Sequence, residues 1–357
     1  KLKNSKTKNY EFARSLKKKF CLMLTATPVQ NHPSELYHLI NLLKPGLLGS
    51  MKEFQSLFKD KGEEAVKHVI QQIMVRNKRE ETGLTWTNRN VHSTYVRFTD
   101  EEQAFYNQLE ELKASKASGI HGFTGLTLLR EACSSKEAAY LTLKNLYNKK
   151  EIAIKEYEKH LQTLQHIQTN SKAEKALEII QNTEDKVVLF TEYRATQLYL
   201  QWYFQQHGII SVPFRGGFKR SKKEWMQDLF KSRAKVMIAT EAAGEGINLQ
   251  FSSTIINYDL PWNPMRLEQR IGRLHRLGQT KDVEVYNFGV AGTVDEHILA
   301  LLYEKITLFE NVIGELDTIL ASTAYSSIEG YIADALDTSD SRREVEVKLH
   351  HLSELIQ

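Results

Sequence analysis

Cysteine is scarce in this sequence: Cys21 and Cys133 are the only two among 357 residues, and they lie far apart. That count excludes a disulfide framework and a zinc ribbon, and it suits a reducing compartment such as the cytosol. Proline is scarce as well, with six residues, while 41% hydrophobic and 26% charged residues exclude a disordered chain. No run approaches the roughly 20 apolar residues of a membrane span, and no charged-then-apolar signal segment opens the chain. A membrane partner is therefore not expected. Two further absences concern chemistry: the sequence holds neither a GxxxxGK(S/T) phosphate loop nor an Asp-Glu-x-His box. No repeat of solenoid length is present.

The length allows two folding units, at about 100–200 residues per domain. The net charge of +4 is too small to name a partner, but its distribution says more. Residues 1–19 carry eight Lys or Arg against the single acid Glu11, and Lys219, Arg220, Lys222 and Lys223 follow a glycine pair. Such runs either form solvated helix faces or neutralise phosphates without reading sequence.

Along the chain, FCLMLT reads as a short strand, TPVQNHPS as a turn and SELYHLINLL as a helix. The polar stretch 75–90 reads as a linker, and HSTYVRF alternates like a strand. Over about 99–181 the spacing is helical, with 136–168 patterned as an antiparallel helical hairpin. From Lys186 elements alternate strictly. The strands are VVLFTEY, SVPF, KVMIAT, TIINYD and VEVYNF; helices run through Tyr203, over 219–230 and over 265–274. This predicts an α/β fold with a parallel sheet covered on both faces. Ligands in such sheets bind at the carboxyl ends of the strands, where this sequence places its glycines and arginines.

Two runs carry the chemistry, TEAAGEGINLQ and QRIGRLHRLGQ. In the first, Thr240 ends a strand, and Gly244 and Gly246 let the backbone approach a ligand closely. Asn248 follows, able to hydrogen-bond a sugar or a neighbouring arginine. In the second, Arg270, Arg273 and Arg276 recur every three residues, which on a helix puts them on one side. Arginine forks match phosphate oxygens in pairs and keep their charge at any working pH.

These runs, with INYDLP between them, resemble the fifth and sixth motifs of superfamily-two helicases. The forms GINLQ, DLPWNP and HRLGQT resemble the Swi/Snf branch, as do LTATPVQN, similar to its third motif, and VVLFTEYRAT, similar to its fourth. LLREACSS around Cys133 is similar to a helix between the conserved blocks, without the family's usual His-Pro after the Cys. The resemblance covers roughly residues 1 to 315. With ENVIGEL downstream, it is most similar to the bacterial RNA-polymerase-associated group.

The resemblance implies a DNA-dependent ATPase and translocase built from two RecA-like lobes. The first lobe would close over 1–82. The second would span 91–317 with a helical insertion at about 100–170, and 318–357 would form a helical tail. In the family an acidic box is followed closely by a Lys-Asn pair and the LTATP strand, so a chain beginning KLKN is expected to start just after that box. ATP and Mg²⁺ would sit in the cleft between lobes, held mainly by the part of the first lobe preceding residue 1. Residues 1–357 alone are then expected to hydrolyse ATP poorly, and no metal ligand is expected on them.

Arg273 and Arg276 would be arginine fingers. Gly244, Gly246, Asn248, Gln269 and Arg270 would line the nucleotide side, with Glu245 partnering an arginine. Thr240, Arg215, Lys219, Arg220, Lys222 and Lys223 would touch the phosphates of double-stranded DNA without reading its sequence. Thr25, Thr27, Gln30 and Asn31 would couple the cleft to the track. Trp262 either meets DNA, stacked on a base or against the minor groove, or packs as a loop anchor beside Pro261 and Pro264. His275 is expected to make a structural hydrogen bond, and Cys133 to sit in the core. The target on DNA stays open between RNA polymerase, another DNA-bound protein and a defence complex. Two rival readings are a strand-separating RNA helicase of the DEAD type, against which LTATPVQN and HRLGQT argue, and a non-catalytic docking module, against which the intact arginines argue.

Overall fold

The computed structural model describes residues 2, 4–24, 34–54, 86–115, 120, 123–240, 247–262 and 264–300, with 334, 344, 347 and 348 further on. The chain divides into two compact units. One comprises residues 1–84 with 308–332 and 350–357; the other comprises 85–307 with 333–349.

In the first unit Thr7 caps helix α1 (Lys8–Ser15), its hydroxyl accepting from the Tyr10 amide at 3.3 Å. Tyr10 is buried edge-on against His38 of α2 (Ser34–Leu43), with 5.6 Å between ring centroids. Leu36 and Ile40 of α2 pack with Leu47 and Leu48. The helix expected from SELYHLINLL is therefore present, and the strand expected from FCLMLT is not seen over its described residues 20–24. Phe20, Leu22 and Leu24 are 88%, 85% and 87% exposed on irregular backbone. A strand persists when a neighbour takes its backbone bonds and a core takes its side chains, and among the described residues this segment has neither.

The second unit is built on six strands: β1 (Arg89–Val96), β2 (Val187–Thr191), β3 (Ser211–Phe214), β4 (Val236–Thr240), β5 (Thr254–Asn257) and β6 (Val283–Val290). They form one sheet in the order β1-β6-β5-β2-β4-β3, with every pairing parallel. The six strands expected from HSTYVRF onward all form. β1 begins at Arg89, inside the stretch that reads as linker, because its residues pair along their whole length with β6. Helices α3 (Asp100–Ala114), α4 (Phe123–Ser134), α5 (Lys136–Asn148), α6 (Ile154–His166) and α7 (Ser171–Asn182) lie between β1 and β2 in sequence. Then α8 (Arg194–Gln206) joins β2 to β3, α9 (Arg220–Ser232) joins β3 to β4, and α10 (Pro264–Ile271) lies between β5 and β6.

Strand β2 is central and buried along its whole length, VVLFT. Its side chains alternate between the two faces. Val187 and Leu189 share a core with Ala176 and Ile180 of α7 and with Leu200 and Phe204 of α8. Phe190 points to the other face, where the Arg270 guanidinium of α10 lies 5.2 Å from its ring centroid. A buried glutamine, Gln197, fixes α8 in register: its amide donates to the Ile238 carbonyl at 2.7 Å and the Phe214 carbonyl at 3.3 Å.

The helical insertion is held at its ends. Thr99 and Glu102 form a capping box at the start of α3, and the same Glu102 accepts from the Ser171 amide at 3.0 Å, tying α3 to α7. The expected hairpin is α5 and α6, with Tyr147 and Tyr157 stacked at 4.6 Å. Within the insertion Glu131 of α4 has one buried carboxylate oxygen without a hydrogen-bond partner among the described residues. Burial pushes its carboxyl up to about 7, against the smaller downward pull of Thr142 and Arg130.

The folded-state value is raised, so the stability Glu131 contributes is complete below the ordinary carboxylate range and is lost as pH rises towards 7. Glu131→Gln should therefore behave like the wild type at pH 4 and be more stable at pH 8, by on the order of 1–3 kcal/mol. Urea denaturation at the two pH values measures the difference. A variant no more stable at pH 8 contradicts the account.

Candidate nucleotide and nucleic-acid site

The carboxyl ends of β2 and β5 meet at a buried carboxylate. Asp259, just beyond β5, is 4% exposed or less in its side chain. Its Oδ2 accepts from the Ser134 hydroxyl at 2.9 Å, from the Thr191 hydroxyl and from the Glu192 amide at 3.1 Å. Its Oδ1 takes the Lys172 ammonium at 3.3 Å, and Lys172 reaches Asp295 at 2.9 Å. Lys172 is fully buried; burial alone would lower its pKa, but Asp295 and Asp259 outweigh it and raise it, so the lysine stays charged. Such a cluster is stable only because the two carboxylates share the buried ammonium and neutral donors satisfy the rest of Asp259.

The three arginines of QRIGRLHRLGQ do not share one face, because the helix that carries them ends early. Helix α10 stops at Ile271, and residues 272–278 run through turns. At Gly272 a Cβ would stand 3.2 Å from the Glu268 carbonyl, which favours glycine where the helix closes. Gly278 has φ +92°, a left-handed conformation suited to glycine. Arg270, still on α10, points inward and is 4% exposed. Its guanidinium donates to the Asp259 carbonyl at 2.7 Å and lies 3.9 Å from Glu192. Arg270 thus holds the sheet's own groups. Arg273 and Arg276 are half-buried on the turn, and Arg276 Nε donates to the Gly272 carbonyl at 2.8 Å.

This turn is bonded to the segment that follows the glycine run in sequence. The Leu249 amide donates to the Arg273 carbonyl at 3.1 Å, and the Gln250 side chain donates to the Leu277 carbonyl. Asn248 is exposed, with its amide donating to Gln250 Oε1 at 2.8 Å. Gln279 donates to Ser252 and Leu274 carbonyls, each at 3.1 Å. From the other side His275 Nε2 donates to the Thr87 carbonyl at 2.8 Å, the structural role expected of it, and Arg89 pairs with both oxygens of Glu268. Gln250, Gln279 and the Arg89–Glu268 pair were not among the expected site residues. The glutamines stand inside the quoted motifs, whereas nothing in the sequence joins Arg89 to a residue so far along the chain.

Thr240 ends β4, half-buried and level with Thr191 of β2. Gln269 is half-buried on α10. Trp262 is 8% exposed beneath the Arg130 guanidinium, which lies 4.5 Å from its ring centroid, the packing of a loop anchor. Cys133 is buried, as expected, and its thiol donates to Thr293 Oγ1 at 3.4 Å. Gly244, Glu245, Gly246, Thr25, Thr27, Gln30 and Asn31 lie outside the described residues. Among the described residues no group of three His, Cys, Asp or Glu side chains is placed to hold a metal ion.

A second cationic group surrounds the start of α9. Lys219, Arg220 and Lys222 are exposed and Lys223 is half-buried. The Phe218 ring carries Lys222 at 4.5 Å and Arg215 at 4.9 Å, and Arg220 pairs with Glu224 at 2.9 Å. The first turn of α9 holds no acid, and Lys219 provides no side-chain cap. Cations gathered at the positive end of a helix dipole repel it, and a bound anion offsets that repulsion.

Residues 1–152 match the SNF2-related domain and residues 171–278 match the helicase conserved C-terminal domain. The chain is 51% identical, over its whole length, to the uncharacterized ATP-dependent helicase YqhH of Bacillus subtilis, and spans 66% of that protein. The name of that relative is not that of the RNA-polymerase-associated protein, so the finer resemblance to that group is not carried by it. The chain is 27% identical to the ATP-dependent DNA helicase DDM1 of Arabidopsis thaliana, with 88% of this chain and 44% of that protein covered. The SWI2/SNF2 ATPase core of Sulfolobus solfataricus, solved in complex with dsDNA, is 24% identical, with 90% of this chain and 69% of that one covered. Its TM-score of 0.43 is too low to place individual residues. With the two domain matches following one another as the motifs do, the chain belongs to the SNF2-related family and carries its helicase C-terminal domain.

Proposed function

We propose that the chain is the motor portion of an ATP-dependent translocase on double-stranded DNA, in which Arg273 and Arg276 act as arginine fingers. The observation that carries this reading is the turn 272–278. Its backbone is bonded to Leu249 and Gln250 on one side and, through His275, to Thr87 on the other. Two arginines are thereby presented from fixed main chain at the family's sixth motif. Preorganised cations of this kind stabilise charge that develops on a transferring phosphoryl group. The phosphates and Mg²⁺ are held by groups outside the described residues. Asn248, Gln269, Gly244, Glu245 and Gly246 belong to the nucleotide side of this proposal. Arg215, Lys219, Arg220, Lys222, Lys223 and Thr240 belong to the DNA side, and Thr25, Thr27, Gln30 and Asn31 to the coupling between them. The load displaced along the duplex is a DNA-bound protein, with RNA polymerase one candidate.

In the full-length protein Arg273→Ala and Arg276→Ala should each lower ATP turnover by about 10³–10⁵, the contribution of an arginine finger, with DNA affinity nearly unchanged. Arg→Lys should rescue poorly, since an ammonium lacks the planar fork. Steady-state phosphate release with saturating duplex measures both, and near-wild-type turnover in Arg276→Ala would mean the wrong residue has been assigned.

Replacing Lys219, Arg220, Lys222 and Lys223 together should flatten the slope of log affinity against log salt by about 0.9 per lost duplex phosphate contact. An unchanged slope would leave those residues as a solvated face. The motor should also track an intact duplex: we expect ATP-dependent displacement of a third strand from a triplex and no release of a labelled strand from a fork. Efficient release from the fork would place the protein among strand-separating helicases.

A further inference from the structure

The helical insertion reaches the arginine turn through one carboxylate. Glu192 stands just past β2, with its side chain 15% exposed and shared between two guanidinium groups. Its Oε2 is 2.8 Å from Arg130 of α4, and its Oε1 is 3.9 Å from Arg270 of α10. Arg130 is itself held on three sides: it donates to the Leu260 carbonyl, pairs with Glu192 and covers the Trp262 ring. Arg270 donates to the Asp259 carbonyl at 2.7 Å, and its own carbonyl accepts from the Arg273 amide at 3.0 Å. A continuous line of contacts therefore runs from the insertion, through Glu192 and Arg270, to the backbone of Arg273.

We propose that Arg130 is a positioning residue for the arginine turn, so that the helical insertion sets the rate of ATP turnover. The inference rests on the ATPase reading above. A carboxylate between two guanidinium groups sits where their pulls balance. Without Arg130, the Glu192 carboxylate is drawn toward Arg270, from 3.9 Å to the ordinary ion-pair distance of about 2.8 Å. That movement turns the Arg270 guanidinium away from the Asp259 carbonyl and shifts the start of the turn that presents Arg273 and Arg276. Misplacement of about 1 Å at a reacting centre is enough to cost about 10²-fold in rate. Arg130 touches neither ATP nor the duplex in this account, so its effect falls on kcat alone.

The test uses the full-length protein and four variants, with kcat and KM for ATP at saturating duplex, duplex affinity and melting temperature as readouts. Arg130→Gln should lower kcat by about tenfold to a hundredfold, with KM and duplex affinity within about twofold of wild type. Adding Glu192→Gln to it should restore part of the lost kcat, because a neutral amide no longer pulls on Arg270. A purely structural role predicts the opposite, a double variant worse than Arg130→Gln alone. Glu102→Gln, which weakens the tie between α3 and α7, should lower the melting temperature without lowering kcat. If Arg130→Gln fails to fold, Arg130→Met decides: its side chain still covers the Trp262 ring but carries no charge to hold Glu192, and kcat should still fall by at least about fivefold. Unchanged kcat in the Arg130 variants, or no recovery in the double variant, overturns the proposal while leaving the ATPase reading intact. A wild-type protein without duplex-stimulated ATP hydrolysis overturns both.

Discussion

A carboxylate sealed at the end of a parallel sheet is stable only where donors replace the water it has lost. Asp259 meets that condition with groups from separate parts of the chain: Ser134 from α4, Thr191 and the Glu192 amide from the end of β2, and Lys172 from α7. Lys172 in turn needs Asp295, beyond β6. None of these donors is near Asp259 in sequence, so the carboxylate is satisfied only when the insertion and both strand ends are docked together. Breaking a buried pair by removing one member typically costs about 3–5 kcal/mol, which makes partial undocking unfavourable. The insertion is therefore joined to the sheet by polar groups as well as by apolar packing, and those joints lie beside the residues the motor motifs supply.

The same requirement explains why the sixth-motif segment is a turn. A helix leaves its last carbonyls without intrahelical donors. Here donors from elsewhere take up carbonyls at and beyond the end of α10. The Arg276 side chain takes Gly272, the Leu249 amide takes Arg273, Gln279 takes Leu274 and Gln250 takes Leu277. Continuing α10 through Leu277 would draw the Gly272 and Arg273 carbonyls into helical bonds and release the Leu249 amide from its partner. Glycine at 272 and 278 makes the alternative path accessible. The result is irregular backbone with a well-defined set of partners.

What the sequence made legible follows from the same physics. Continuous apolar runs such as VVLFT and VMIAT belong to strands covered on both faces, and they needed no knowledge of the rest of the chain. The motif spelling placed Arg273 and Arg276 in one short segment and His275 as a structural group. Side-chain direction was not legible. Arg270 has the same spacing as the other two arginines, but it sits before the helix end and turns inward toward Asp259 and Glu192. Trp262 was ambiguous until the position of Arg130, more than a hundred residues earlier, became visible above its ring. FCLMLT differs for a related reason: a short apolar run supplies side chains, but a strand also needs a partner's backbone, and its described residues 20–24 have none among the described residues.

The two groups of cations in the second unit are held in different ways, and the difference bears on what each is able to do. At the start of α9, Lys219, Arg220 and Lys222 are exposed, and the contacts that order them are a surface ion pair and an aromatic ring. Contacts of that kind are weak and screened by salt, so these side chains remain adjustable. That suits a phosphate backbone whose register changes with each step. At the arginine turn the main chain itself is bonded on both sides, and the half-buried side chains start from fixed points. Fixed cations pay little reorganisation when charge develops, whereas adjustable ones follow a moving track. The proposed translocase would need both properties at once, and a single cationic surface could not supply them, because the rigidity that helps phosphoryl transfer would hinder release of the duplex.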